Sequence, residues 1–156
     1  MLNGFNITTA TDLDLNDLVR LLGVLFAIEK DFRPDPDRQR AGLALLLADP
    51  ARCGVFVARD SRGAVVGMVT AQMVISTAQG SRSVWIEDLV IETASRGRGL
   101  GKALLDYAAQ WACGHHATRL QLLVDSENNQ GIAFYNHLGW ERTQLQARRK
   151  FLHQQG

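Results

Sequence analysis

A glycine-rich segment in the second half of the chain has the residue types of an anion-binding loop. It places three alternate glycines between a predicted strand and a predicted helix, and it reads Arg96-Gly97-Arg98-Gly99-Leu100-Gly101-Lys102-Ala103. Glycine adopts positive φ and lets the backbone approach a ligand closely. The first turn of a helix adds N–H groups without intrahelical acceptors and a partial positive charge. The segment therefore predicts a site suited to phosphate.

Two common phosphate-binding loops do not fit the spacing of this segment. The dinucleotide fingerprint GxGxxG requires a third glycine at position 102, whereas the chain has Gly101 and Lys102 there. The mononucleotide loop GxxxxGK[ST] requires glycine at position 96 and a hydroxyl residue at 103, and the chain has Arg96 and Ala103. A solvated connector without a ligand is the alternative, and the flanking strand and amphipathic helix disfavour it.

The elements around the glycines indicate an α/β chain. Strand-like runs occur at residues 5–9, 54–59, 64–77, 83–91 and 119–124, with two more strands expected within residues 140–152. Helical spacing predicts helices at residues 13–31, 41–48 and 132–138, and a strongly amphipathic one from the glycines to about residue 114. The predicted order is β-α-α-β-β-β-α-β-α-β-β. Three consecutive strands favour a mixed central sheet flanked by helices over a regular βαβ repeat.

Composition predicts an ordinary globular domain. The 156 residues are 46% hydrophobic and 21% charged with a formal net charge of +1. We expect one domain over residues 1–156, with neither nucleic acid nor a membrane as a partner. Residues 21–28 form the longest apolar stretch, which is too short to span a bilayer, and the N-terminus lacks the pattern of a signal peptide. Cys53 and Cys113 are far apart, so we expect no metal site and, together with these features, a cytoplasmic location.

Two motifs resemble those of the GNAT superfamily of N-acetyltransferases. After the predicted strand 83–91, the family's pyrophosphate loop is matched by Arg96-x-x-Gly99-x-Gly101. Further on, the family pattern Asn-x-x-Ala-x-x-x-Tyr-x-x-x-Gly-Phe is similar to residues 128–140, which contain Asn128, Gly131, Tyr135, Gly139 and Trp140. Gly131 replaces the usual alanine, and Ser95 replaces an aromatic residue common before the loop. The element order also matches, so the resemblance covers nearly the whole chain and implies the GNAT acyltransferase fold.

The resemblance implies that acetyl-CoA is the co-substrate. Its pyrophosphate would lie among the backbone amides of Gly97, Arg98, Gly99, Leu100, Gly101 and Lys102, with added charge from Arg96 and Arg98. In this family the strand over residues 87–91 carries a bulge and leaves its neighbour, which opens a V-shaped cleft. The backbone of Leu89 and Ile91 would pair there with the pantetheine arm, and an N–H of Leu89 or Val90 would face the thioester oxygen. Asn128 would hydrogen-bond the pantetheine or cap its helix.

The resemblance also implies two catalytic side chains. An alkylamine acceptor, with a pKa of about 10.4, is mostly protonated at neutral pH and must lose a proton before it attacks. Glu87 matches an acidic residue that takes this proton in some members, and Asp88 or a water molecule is the alternative. Strand alternation predicts that only one of the two carboxylates reaches the cleft. Tyr135 matches the family tyrosine that protonates the departing thiolate.

The predicted activity is transfer of an acetyl group from acetyl-CoA to a primary amine of a small molecule or peptide, by direct attack in a ternary complex. Acidic residues beside Phe32, within residues 29–37, suggest a cationic acceptor such as a polyamine or an aminoglycoside. A non-catalytic acyl-CoA sensor or interaction module is the alternative function. Dimers are common in the family, so a homodimer is a further expectation.

Overall fold

The computed structural model describes residues 2–153, which form five strands and four α-helices. The strands are β1 (Asn6–Thr9), β2 (Cys53–Arg59), β3 (Val65–Ser76), β4 (Ser81–Ile91) and β5 (Ala117–Gln121). The helices are α1 (Leu15–Ile28), α2 (Pro36–Leu47), α3 (Leu100–Gly114) and α4 (Asn129–His137). Short 3-10 turns at Asp12–Asp14 and Thr93–Ser95 precede α1 and α3. The predicted element order is confirmed from the first strand to the last helix.

The five strands form one mixed sheet in the order β1-β2-β3-β4-β5. The first four strands pair antiparallel with their sequence neighbours, and β5 pairs parallel to β4 after the crossover through α3. A parallel strand pair requires such a crossover connection. The predicted fold class, an α/β protein with a mixed sheet flanked by helices, is confirmed.

Helices cover both faces of this sheet. On one face, α1 and α2 pack against inward-facing strand residues in a cluster that contains Leu18, Leu21, Leu22, Leu43, Val55, Val57, Met68 and Val90. On the other face, the ring of Phe56 contacts Tyr107 and Trp111 of α3, with centroid distances of 5.0 and 5.8 Å. Because successive strand residues point to opposite faces, Val55 and Val57 face α1 and α2, whereas Phe56 faces α3. This alternation identifies the face of each site residue below.

The described residues divide into two compact units, residues 2–122 and residues 123–153. The first unit holds the whole sheet and α1 to α3, and the second holds α4. None of the helices within residues 2–153 has both the length and the apolar character that crossing a bilayer requires. The prediction of a single domain over residues 1–156 stays a prediction.

The two strands predicted within residues 140–152 are wrong, since residues 140–153 form neither a strand nor a helix. The side chains of Leu145, Phe151 and Leu152 in this segment are 81%, 76% and 86% exposed. A strand is stabilised by a hydrogen-bonded neighbour and by burial of one face, and strand-forming residue types alone supply neither. The apolar pattern therefore did not determine the structure of this segment.

Candidate active site

The glycine-rich segment forms the entrance to α3, as its sequence predicts. Gly97 and Gly99 adopt φ values of +74° and +78°, which an L side chain rarely tolerates. Gly99 is the N-cap residue of the helix, and its carbonyl accepts the first helical hydrogen bond, from the N–H of Ala103 at 3.0 Å. Residues 96–99 are exposed. The N–H groups in the first turn of α3 therefore lie next to a solvent-accessible loop and can bind an anion.

The two arginines of this loop have different surroundings. Arg96 donates from Nε to the carbonyl oxygen of Ile91 at 3.0 Å, which ties the loop to the end of β4. The guanidinium of Arg98 lies 5.6 Å from the ring centroid of Phe5, a cation–π distance. Both side chains remain exposed. Arg96 therefore joins the loop to the strand, whereas Arg98 extends beside the first strand.

The C-terminal half of β4 has an open edge. Pairing between β4 and β5 runs only from Arg82 with Ala117 to Trp85 with Gln121, although β4 continues to Ile91. Residues 86–91 therefore extend past the end of β5 within the described part of the chain. The carbonyl of Ile91 accepts from Arg96, and the other main-chain groups on this side can pair with an extended ligand. Leu89, Val90 and Ile91 all lie in this stretch.

A bulge interrupts β4 at the same place. Val90 pairs with Met68 and Glu87 pairs with Thr70, so Asp88 and Leu89 together stand opposite one residue of β3. Asp88 has a φ of +53°, in the left-handed region. Two residues opposite one are the mark of a β-bulge, which bends a strand and re-aims its side chains. The bulge expected in this strand is present.

The bulge changes the direction of the two carboxylates. Thr70 of β3 pairs in register with Glu87 of β4 on one side and with Val55 of β2 on the other. Residues paired in this way have their side chains on the same face of the sheet. Val55 packs against α1 and α2, so all three side chains are on that face. Asp88 reaches the same threonine, because the Thr70 hydroxyl donates to Asp88 Oδ2 at 3.0 Å. Regular alternation, which would send the two acids to opposite faces, fails at the bulge, and the prediction that only one of them reaches the cleft stays a prediction. Both carboxylates lie on the side of α1 and α2.

The surroundings raise the pKa of both acids. Although the Glu87 side chain is exposed, the protein around it displaces water and raises its pKa, and the negative charge of Asp88 raises it further. Burial raises the pKa of Asp88, and the hydrogen bond from Thr70 opposes that change. A carboxylate whose pKa moves toward neutrality is a better proton acceptor. The pair can therefore do acid–base chemistry.

Asn128 and Tyr135 belong to the second unit. Asn128 caps α4, since its Oδ1 accepts from the N–H of Gly131 at 2.9 Å. A Cβ at Gly131 would lie 2.6 Å from Asn128 Nδ2, so glycine leaves room for this cap. Tyr135 is half-buried, and its ring contacts Phe134 and Trp140 with centroid distances of 5.1 and 5.8 Å. Of the two roles predicted for Asn128, the structure contains the cap.

Thr70 is the site residue that sequence reasoning did not find. It is fully buried in a run of apolar residues of β3. Its sequence signal is a lone hydroxyl in that run, but its partner on β4 is defined only by the strand register. In the part of the chain that the structure describes, no group of three histidine, cysteine or acidic side chains is placed to hold a metal ion.

Comparison with known proteins gives concordant matches. The model of the acetyltransferase (GNAT) family matches residues 19–140. N-acetyltransferase family 8 member 2 of Rattus norvegicus is 29% identical over 90 residues, which are 58% of this chain and 40% of the rat protein. An uncharacterized N-acetyltransferase of Methanocaldococcus jannaschii is 31% identical over 93 residues, 59% of this chain and 41% of that protein. The matched region is thus well under half the length of these curated relatives.

The fold of this chain is also found in solved structures. The crystal structure of a possible acetyltransferase from Clostridium difficile 630 superposes with a TM-score of 0.83 and 20% identity. The superposition covers 96% of this chain and 99% of that one. At this identity the likeness establishes a shared fold.

Proposed function

The chain belongs to the acetyltransferase (GNAT) family, and from this premise we propose that it transfers an acetyl group from acetyl-CoA to a primary amine. In this proposal residues 1–156 act as one N-acetyltransferase domain, and the amine attacks directly in a ternary complex. The observation that carries the proposal is the open, bulged half of β4, which leads through the Arg96 contact into the glycine loop at the start of α3. A linear donor with a phosphorylated end can lie along this strand edge and reach the loop.

The glycine loop supports binding of the CoA pyrophosphate. A Cβ placed on Gly97 would meet no atom of the protein within 4 Å, so the space beside this residue is open to a ligand. The backbone amides of residues 97–102 would hold the two phosphates. The main chain of Leu89 and Ile91 would pair with the pantetheine arm, because this edge of β4 extends past β5. Asn128 shapes the start of α4 as its cap.

The proposed chemistry assigns two proton transfers to side chains. Acetyl-CoA supplies an acetyl group activated as a thioester. Glu87 takes a proton from the ammonium group of the acceptor, so the neutral amine can attack, and its raised pKa narrows the gap between base and amine. Tyr135 gives a proton to the thiolate that leaves. An N–H of Leu89 or Val90 donates to the carbonyl oxygen that gains negative charge.

The acceptor that we propose is a cationic amine. The segment between α1 and α2 carries three acids, Glu29, Asp31 and Asp35, and two basic residues, Lys30 and Arg33. The ring of Phe32 packs 5.5 Å from that of Phe26 while remaining 51% exposed. Glu87 and Asp88 lie on the sheet face that α1 and α2 cover. A face with several carboxylates and an accessible aromatic ring favours a positively charged ligand. Polyamines and aminoglycosides have this chemistry.

A thiol-release assay tests the proposal. The full chain is offered acetyl-CoA together with polyamines, aminoglycosides, amino acids and lysine peptides, and free thiol is measured against a no-amine control. We expect amine-dependent release with at least one cationic acceptor. Binding of CoA by calorimetry without release for any amine would instead support the acyl-CoA sensor, and failure to bind CoA would contradict both functions.

Replacing Tyr135 by phenylalanine tests the proposed acid. General acid catalysis contributes about 10²–10⁴-fold to a rate, so Tyr135→Phe should lower kcat by about that factor. The substitution keeps the ring that contacts Phe134 and Trp140, so CoA affinity should be unchanged. Phe134→Tyr is a matched control on the same helix. Unaltered turnover by Tyr135→Phe would remove Tyr135 from the mechanism.

A further inference from the structure

We infer that Thr70 and Asp88 are a positioning pair for Glu87: the Thr70 hydroxyl holds the Asp88 carboxylate at the bulge, and this held charge makes Glu87 an effective proton acceptor. The inference rests on the proposed function, in which Glu87 is the base. It assigns to Asp88 a role beside Glu87 rather than in place of it, and it adds a residue of the neighbouring strand to the site.

The backbone of the bulge holds Asp88 in an unusual conformation. Asp88 is a non-glycine residue with a φ of +53°, a conformation that L residues adopt rarely and aspartate more readily than most. Such a conformation persists when surrounding contacts determine it. The contact that the structure supplies is the 3.0 Å hydrogen bond from the hydroxyl of Thr70.

Thr70 is a fully buried residue of β3, and its chain neighbours Val69 and Ala71, whose side chains point to the opposite face of the sheet, are also fully buried. A buried hydroxyl is costly unless it has a hydrogen-bond partner, and Thr70 places its donor on Asp88 Oδ2. A hydrogen bond to an ionised acceptor is stronger than one between neutral groups. Thr70 therefore stabilises the ionised form of Asp88.

The negative charge of Asp88 acts on the neighbouring carboxylate of Glu87. Glu87 is the register partner of Thr70, so Thr70 lies beside both acids. The charge of Asp88 raises the pKa of Glu87 and thereby strengthens it as a base. If Asp88 lost its charge or its position, Glu87 would hold a proton less firmly.

Several other charged groups of the elements packed on this face have partners of their own. The elements packed there contribute Arg20 of α1 with Glu92 at 2.7 Å, Asp14 with Arg59 of β2 at 2.8 Å, and Arg40 of α2 with Asn16 at 2.8 Å. No neighbouring cation lowers the pKa of Glu87 or Asp88 among the described residues. Asp88 is therefore the charge that acts on Glu87.

The test compares Thr70→Val, which removes the hydroxyl and keeps the branched shape, with Thr70→Ser, which keeps the hydroxyl. Carboxyl carbon resonances of the full chain are titrated by NMR without substrate. In Thr70→Val the midpoint of Asp88 should move up and that of Glu87 down, by about half a pH unit or more each. Thr70→Ser should keep both midpoints near those of the wild type. Asp88→Asn, which retains an acceptor for Thr70 and suits positive φ, should lower the Glu87 midpoint further.

The same variants are then followed in the thiol-release assay across pH. Thr70→Val should lower the plateau of kcat by about tenfold and move its acidic limb to lower pH, with Thr70→Ser restoring both. A titration midpoint of Glu87 that is unchanged in both Thr70→Val and Asp88→Asn would overturn the positioning pair. If Thr70→Val does not fold, the midpoint in Asp88→Asn decides alone. Absence of thiol release by the wild type would overturn the proposed function, a result that the substrate-free titration does not depend on.

Discussion

The glycine loop at residues 96–99 and the bulge at residues 87–91 use the same unusual backbone conformation for different purposes. Gly97, Gly99 and Asp88 all have φ values between +53° and +78°. In the loop the residue has no side chain, so the main chain itself is accessible to a ligand. In the bulge the residue keeps a carboxylate that bonds to Thr70. The loop therefore acts through its backbone and the bulge through its side chains.

The two regions also differ in the energetic cost of their backbone conformation. A left-handed conformation costs an L residue roughly 1–2 kcal/mol, and glycine avoids that cost. The chain accepts the cost at Asp88, where a charge-assisted hydrogen bond worth about 1.5–3 kcal/mol can offset it. Of the two regions, the bulge is the one that keeps a strained residue, and the side chain of that residue makes a hydrogen bond. Substitutions in the two regions should therefore change different measured quantities.

The largest expected effect belongs to the bulge. Glu87→Gln removes the proposed proton acceptor, so kcat should fall by about 100-fold or more below neutral pH, where the amine is protonated. At high pH the free amine accumulates and the defect should shrink. CoA affinity measured by calorimetry should stay that of the wild type. Glu141→Gln, at an exposed position in the second unit, is the control. A pH–rate profile identical to the wild type would exclude Glu87 as the base.

A smaller effect, on binding instead of turnover, is expected in the loop. Gly97→Ala puts a side chain at a φ of +74° and next to the proposed phosphate site, so CoA affinity should weaken by about tenfold while kcat at saturation is retained. Gly80→Ala is a matched control, because Gly80 has a φ of +60° and equally open surroundings in the β3–β4 turn. Equal CoA affinity in the two variants would show that the loop does not bind the cofactor.

The smallest expected effect is on the free energy of unfolding. It distinguishes Asp88, whose pKa is raised, from Asp60, whose pKa is lowered. Burial raises the pKa of Asp88 in the folded state, so its contribution to stability is greatest below the unfolded value near 3.8 and is lost as pH rises through the folded value. Asp88→Asn should therefore gain stability relative to the wild type as pH rises above about 3.8, as measured by urea unfolding.

Asp60 provides a control of opposite sign. Backbone N–H donors from Ala64 and Arg62 lower the pKa of this carboxyl, so its stabilisation is present above the unfolded value and is lost as pH falls through the folded value. Asp60→Asn should lose stability at neutral pH and approach the wild type in acid. Parallel pH dependence in the two variants would contradict the assigned causes.

Local patterns account for the parts of the fold that were predicted, and two misreadings show their limits. The two prolines within residues 33–37 favour a loop and helical spacing predicts a helix only over residues 41–48, yet α2 begins at Pro36 with Asp35 as its cap. Proline fits the first turn of a helix, where no hydrogen bond to its nitrogen is needed. Residues 140–152 have the composition of strands and form none. In both cases the residue types were compatible with more than one local structure.

The sequence by itself determined the glycine loop, the amphipathic α3 and the family motifs, because each depends on residues close together in the chain. The tertiary structure decided which face receives the two carboxylates. Thr70 and Asp88 are 18 positions apart, and they meet only because β3 and β4 pair in a register that shifts at the bulge. A one-residue shift in pairing reverses the face of a strand side chain, and no local pattern records that shift.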